Sequence, residues 1–454
     1  MAAPAAGLAH ARSFDSLLDG RKIAGLQVFI IVICAIISMV DGFDTQSIAL
    51  AAPSIAKDFG VQASSFGPIF GIGLFGGLVG AIVFGVLGDR FGRKPVLIAS
   101  IAIISIGALI TPFTTTTTAL FLVRFLTGLG LGGALPGVIA LTGEYAPLRR
   151  RAATVALMFC GFPLGAVVGG LASSVLIPKF GWQSVFWVGG IVPVILLPIV
   201  AIAVPESVRF LAKRTDKSAL AKVLGRLKLD PSLATNVAPA PDEARAPLPS
   251  LFTQGRAVGT IMLWVILLLS LLMTYFLTNW IPIIATQNGL ETRIAILGAV
   301  MLNLGSIIGS IVLGQFVRKR PAATIVVGYV VGAVAVVAIG QAAHSAPGLL
   351  ITCFLAGFFG IGAQLCTVGL CATFYSDALR ATGVGSAVGV ARLGAILGPV
   401  VGGVLLVGGV ATPLIFVIIG IVSLAAGLAM LVMGLTVLRE RGVAAAEITA
   451  AQAA

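Results

Sequence analysis

Between residues 24 and 437 the sequence is a succession of apolar runs, each roughly 20 residues long, the length of helix that crosses the hydrocarbon of a bilayer. Twelve can be marked, at 24–51, 66–88, 96–112, 119–143, 152–177, 183–204, 259–284, 293–314, 322–342, 348–373, 382–408 and 413–437. Hydrocarbon offers the backbone no partners, so runs of this length must bond internally as helices. Composition agrees: of 454 residues only 10% are charged, and the mean hydropathy is +1.11. A soluble domain carries roughly 25% charged residues, and a soluble chain with so few could not cover its surface. The longest polar interruption, 205–258, divides the runs six and six. The expected fold is an all-α integral membrane protein of twelve transmembrane helices in two six-helix halves. The expected order is a cytosolic tail 1–23, a half 24–204, a cytosolic linker 205–258 with one short helix, a half 259–437 and a cytosolic tail 438–454.

The net charge of +13 would suit a nucleic-acid-binding protein, but its distribution does not. Of 29 Lys and Arg residues, 24 fall in segments on one side of the spans. Lys57, Lys179 and Arg293 fall on the other, and Arg124 and Arg392 lie within spans. By the positive-inside rule the charge is topology, both termini are cytosolic, and no nucleic acid is a partner. Asp15 and Asp19 precede the first run, unlike the basic start of a signal peptide. The five cysteines, Cys34, Cys160, Cys353, Cys366 and Cys371, lie in apolar segments without metal or redox spacing, so no metal or cofactor is expected.

The chemistry sits where the apolar pattern is violated. Asp41-Gly42-Phe43-Asp44-Thr45 lies inside the first run. A carboxylate in hydrocarbon costs several kcal/mol on lenient scales, about 2.5–3.5, and marks a functional site. Two carboxylates three apart share a helix face and repel, so one of the pair is expected to hold a proton near neutral pH. Of the sixteen acidic residues only these two lie well inside a span, and His10 and His344 lie outside. A proton moving through this chain has little other choice, and either aspartate can carry it. Asp41 lies about 17 residues, roughly 25 Å, into its helix. Asp44 is one turn further out, at the depth of Arg124.

Arg392 lies near the middle of the eleventh run. A fixed cation there suits a carboxylate substrate, or a structural charge on backbone carbonyls. Tyr275, Thr278, Asn279 and Trp280 on the seventh run, Phe159 and Phe162 on the fifth, and Gln364 on the tenth are candidate walls for an aromatic ring with polar substituents.

The halves repeat. Gly161, Gly165, Gly169 and Gly170 recur in the same pattern as Gly394, Gly398, Gly402 and Gly403. Tyr145 and Arg150 recur as Tyr375 and Arg380, and Gly88–Pro95 recurs as Gly314–Pro321, at nearly the same offset along the chain. Parallel repeats of six spans rock about a central site in secondary transporters.

Gly88-Asp89-Arg90-Phe91-Gly92-Arg93-Lys94-Pro95 resembles the loop signature of the major facilitator superfamily. Arg124–Gly133 resembles its fourth-helix motif, and Pro205–Leu211 the sequence that ends its sixth helix. Within that superfamily, Asp41–Thr45, Glu144–Pro147 and Arg392–Pro399 resemble the aromatic acid:proton symporters, over about 25–438. The resemblance implies proton-coupled uptake of benzoate-like acids across a bacterial inner membrane. It also makes the first and fourth spans neighbours, hence an Asp44–Arg124 pair with Asp41 as the freer acid. Gln315 departs from the acidic residue common in the second-half loop.

Asp89, Arg90, Arg93, Lys94, Glu144, Arg149, Arg150, Glu206, Arg209 and Arg380 all lie on the cytosolic side. They are expected to form an ion-pair network that latches the halves in the outward-open state. The resulting expectation is a proton symporter for aromatic carboxylic acids, with protons, a small aromatic carboxylate and the bilayer as partners. A proton-coupled exporter, or a carrier of sugar or another organic anion, is the alternative. A sensor would need a larger soluble domain than the linker, and an enzyme would need a nucleophile or metal motif that is absent.

Overall fold

A computed structural model describes residues 14–18, 23–235, 237 and 246–438. The expectations for the tails, including the arginines at 12, 21, 439 and 441, lie outside the described residues. Among those described, twelve helices are long and apolar enough to cross a membrane, and there is no strand.

They are α1 (Gly25–Phe59), α2 (Phe66–Phe91), α3 (Arg93–Ile110), α4 (Thr117–Tyr145), α5 (Arg151–Phe159 and Gly161–Phe180) and α6 (Gln183–Ala203). The second set is α7 (Ala257–Gln287), α8 (Thr292–Val317), α9 (Pro321–Ala342), α10 (Ala346–Phe374), α11 (Asp377–Val407) and α12 (Thr412–Met433). α1 continues past the expected residue 51 to Phe59, where Gly60 adopts φ 63° and turns the chain. α5 is interrupted at Cys160 because Pro163 has no N–H for the carbonyl of Phe159. α10 carries a π turn at Gly357–Ile361. The linker holds more than the one short helix expected: Val208–Lys213, Ser218–Arg226 and 3-10 turns at Pro231–Thr235 and Leu248–Phe252. Asp216 accepts from the amide and hydroxyl of Ser218 ahead of the second helix, which holds its carboxyl below the usual range.

Packing repeats with the sequence. In the first half α1 packs on α5, α2 on α4 and α3 on α6; in the second α7 packs on α11, α8 on α10 and α9 on α12. The glycines explain why. A Cβ at Gly161 or Gly165 would strike the carbonyls of Ala35 and Met39. One at Gly394 or Gly398 would strike those of Leu268 and Leu272, and glycines and carbonyls alike are displaced by one common offset. Gly76 and Gly80 meet the carbonyls of Phe125 and Leu129 as Gly305 and Gly309 meet those of Phe354 and Phe358, again at one offset for all four positions. The loop after α8 recurs at a slightly smaller offset because α8 ends sooner after Gly309 than α2 does after Gly80. The repeat also corrects a pairing. Arg151 Nε donates to Gly143 O as Arg380 Nε donates to Ala372 O, so the counterpart of Arg380 is Arg151, not Arg150.

The halves touch through α2 with α11, α5 with α8, and α1 with α7. The basic face is the one carrying Arg90, Arg93 and Arg149–Arg151. Two hydrophobic cores there are private, one built from Ile30, Leu97, Leu141, Val204 and Leu224, the other from Leu251, Leu267, Leu370 and Met430. On the opposite face a third core is shared: Ile48, Phe66, Phe70 and Phe186 pack with Phe276, Trp280, Ile296 and Phe416. The shared core closes that face, while on the basic one the two cores are separate; Cβ positions at Gly369, Gly385 and Gly389 there meet nothing within 4 Å.

Candidate functional site

Asp41 sits at the midpoint of α1 and faces the seam between the halves. Its Oδ1 accepts from Thr45 Oγ1 at 3.4 Å, and the charge of Arg392, from the other half, acts on it directly. Arg392 is half-buried on α11 and donates from Nη1 to Gly77 O of α2 at 3.3 Å, itself a bond across the seam. Tyr275 on α7 feels both charges. Gly42 is needed between the acids because a Cβ there would strike Phe162 O, where α1 crosses α5.

Asp44 faces the interior of its own half. Its Oδ2 pairs with Arg124 Nη1 at 3.3 Å, and the two residues are 2% and 3% exposed. Arg124 Nη2 donates to Thr111 Oγ1 at 2.8 Å, and its guanidinium lies 5.1 Å from the Phe186 ring centroid. Among the described residues, Asp44 Oδ1 and Arg124 Nε have no hydrogen-bond partner. Sequence reasoning missed Thr111 and Phe186. The available signal for Thr111 was a polar residue directly before Pro112 at the end of the third apolar run.

Just above Asp41 toward the sealed face, Gln46 of α1 and Asn303 of α8 exchange two hydrogen bonds across the seam. Gln46 Nε2 donates to Asn303 Oδ1 at 3.0 Å and Asn303 Nδ2 donates to Gln46 Oε1 at 3.2 Å. Neither residue was singled out from sequence, where an isolated amide in a membrane helix has no distinguishing spacing.

The candidate walls divide. Gln364 is 7% exposed with no hydrogen bond described, and Asn279 donates from Nδ2 to Tyr275 O at 2.7 Å. Phe159, at the break in α5, is 38% exposed. Trp280 does not belong with them in this conformation. It is fully buried, packs edge-on against Phe70 of the other half, and spends its Nε1 on Pro399 O at 3.0 Å. It is part of the seal.

The charged network on the basic face does not bridge the halves in the bonds described. Arg93 pairs with Asp89 four residues earlier. Glu206 Oε1 accepts from the amides of Arg93 and Lys94 at 2.8 and 3.0 Å, a grip made possible by Gly92 at φ 106°. Both oxygens of Glu144 accept from Ser207 Oγ, and one from the Arg209 amide. Arg90 lies over the Phe91 ring, Arg149 and Arg150 are exposed, and Gln315 is exposed at the end of α8. The bonds expected to join the halves instead knit α2, the start of α3, α4 and the segment after α6 together within the first half. On the far face, a groove of about 1130 Å³ is lined by Lys57, Asp58, Trp182 and Thr286, and includes none of the candidate site residues.

The model of the Major Facilitator Superfamily matches residues 34–391. The chain belongs to the major facilitator superfamily. Its relatives within that superfamily include the gallate transporter of Pseudomonas putida, 35% identical over 92% of this chain and 94% of the relative. The 4-hydroxybenzoate transporter of Acinetobacter baylyi is 35% identical over 86% and 88%, and the 3-(3-hydroxy-phenyl)propionate transporter of Escherichia coli 35% identical over 84% and 87%. Among solved structures, a bacterial homolog of the human lysosomal transporter Spinster, in an inward-facing and occupied conformation, superposes with a TM-score of 0.72 at 16% identity, over 92% of this chain and 99% of that one. That likeness is one of fold. As a superfamily member the chain is a transporter rather than an enzyme.

Proposed function

We propose that this protein imports aromatic carboxylic acids together with protons, by alternating access, across a bacterial inner membrane with the basic face and both termini in the cytosol. The observation that carries the reading is the seam at mid-membrane, where Arg392 of the second half reaches across to Gly77 O of the first and its charge acts on Asp41. Arginine stays charged, so Arg392 can serve one carboxylate fully at a time. While Asp41 is ionised it competes with the substrate for that cation. A proton on Asp41 releases Arg392 to the substrate, and loss of the proton on the cytosolic side lets Asp41 reclaim it and expel the acid. Proton and substrate therefore move together. Asp44 and Arg124 remain paired within the first half and supply the fixed counter-charge behind the site. The names of the relatives support the substrate class, and the parted basic face supports a release step on that side.

The test is uptake of labelled benzoate and hydroxybenzoates into proteoliposomes under an inward pH gradient. Uptake should collapse with the gradient and fall at least about 100-fold in Asp41→Asn, a loss of the order expected when a general acid–base group is removed. Aromatic-acid uptake indifferent to the gradient would keep the substrate and sink the coupling. No aromatic-acid uptake would sink both.

A further inference from the structure

α1 and α7 occupy equivalent places in the two halves, and their sequences agree over one short segment. Phe43-Asp44-Thr45-Gln46 aligns with Phe276-Leu277-Thr278-Asn279 at the same offset as the glycines that seat both helices. The repeat thus sets a threonine and a carboxamide on each side of the seam. Their fates differ. Gln46 spends both amide atoms on Asn303. On α2, the offset that carries Gly80 onto Gly309 makes Leu74 the counterpart of Asn303, and a leucine offers Asn279 no bond.

Asn279 instead turns its Nδ2 back to Tyr275 O at 2.7 Å. A carbonyl only accepts, so the atom there must be the amide nitrogen, and Oδ1 is the atom left over. No hydrogen bond is described for it, on a residue 3% exposed. Its neighbour Thr278, 7% exposed, likewise has no hydrogen bond described for its hydroxyl. Neither atom is among the fully enclosed side-chain atoms that lack a partner, such as Thr274 Oγ1 one turn back, so both lie open to a ligand, and a polar atom in such a place ordinarily finds a partner. Tyr275, one turn back along α7, shares the field of Asp41 and Arg392. The rise between Tyr275 and Asn279 is about 6 Å, comparable to the reach of a benzoate from its carboxyl carbon to a ring substituent.

We infer that Asn279 reads the ring of the substrate and selects acids that carry a phenolic hydroxyl. With the carboxylate on Arg392, the hydroxyl donates to Asn279 Oδ1. Only a donor satisfies that atom. A methoxy group, a pyridine nitrogen or a bare ring C–H leaves it unpaired, and a site built around a polar partner rejects the analogue that lacks it. The inference rests on the aromatic-acid reading and narrows it.

The experiment measures how well 3- and 4-hydroxybenzoate, their methoxy analogues, nicotinate and benzoate each inhibit labelled uptake by the full chain in proteoliposomes, for wild type and Asn279→Leu. Wild type should prefer the hydroxybenzoates by about tenfold over the rest, the scale of one hydrogen bond to a buried acceptor. In Asn279→Leu that ratio should fall to about one. A wild-type ratio near one would overturn the inference whatever the variant does, and would leave aromatic-acid transport standing. A preserved ratio in a variant weakened toward every acid would assign Asn279 a structural role and overturn it as well. Failure of every acid to be taken up would remove the reading on which it rests.

Discussion

Asp44 and Arg124 are nearly sealed from solvent, yet each keeps one polar atom without a partner among the described residues. Such a pair is more costly to break than to delete. Asp44→Asn leaves the Arg124 charge without its counter-ion, held by an amide oxygen and Thr111 Oγ1 alone among the described residues, and should cost about 3–5 kcal/mol. The double variant Asp44→Asn/Arg124→Gln should recover part of that loss. Thermal unfolding in detergent of the two single variants and the double checks it: additive losses would show that the residues do not act as a pair. The two aspartates were legible in the sequence because a carboxylate in an apolar run is rare. The family resemblance also anticipated the Asp44–Arg124 pair; spacing alone left open which aspartate would be paired, since that depends on which side of α1 meets α4 and which meets α7. Trp280 misled for the same reason. An aromatic near a polar cluster reads as a substrate wall until packing shows it wedged against Phe70.

At the scale of elements, function lies where the repeat is broken. The offset that carries Gly161 onto Gly394 matches Asp41 with Thr274 and Arg392 with Phe159; the one that carries Gly80 onto Gly309 matches Arg124 with Cys353. The first half keeps the carboxylates and the second keeps the cation that faces them. The glycine motifs exposed the repeat and hence the packing of α1 on α5 and α7 on α11, since a helix carrier of G-x3-G announces where another backbone comes close. The amide pair between α1 and α8 left no such trace. It holds the sealed face, and its removal should favour the opposite opening. Gln46→Leu should increase labelling of Ser64→Cys by an impermeant thiol reagent from outside the cell, in a background lacking the native cysteines, by several fold. The exchange Gln46→Asn/Asn303→Gln, which can restore both bonds, should bring labelling back down. Unchanged labelling in Gln46→Leu would show the pair to be incidental. Gly403 tests the seam independently. A side chain there would press on Gly67 and the Ser64 carbonyl of the other half, so Gly403→Val should hold the far face ajar.

For the whole molecule, the halves have private cores on the basic face and share one on the other. Their separation on the basic face predicts that Gly389→Cys is modified readily from that side in inside-out vesicles, and that substrate with a proton gradient slows the reaction as the cleft closes. Faster modification under those conditions would contradict the alternating cycle. The six-plus-six organisation was readable from the sequence because hydropathy and basic residues alternate on a bilayer's scale. Which face stands open was not, because hydropathy and charge mark the two ends of each span without saying which ends meet.

The shared core on one face and the charged margins on the other have a thermodynamic consequence. The present conformation is held by an oily seam, with Ile48, Phe70, Trp280 and Ile296 withdrawn from water, and contact of that kind weakens on cooling. In the proposed cycle the opposite conformation closes where Asp89, Arg93 and Arg380 stand, and attraction between exposed ions fades with added salt. Cold and salt should therefore push the same carrier in opposite directions, chilling it toward one mouth and salting it toward the other.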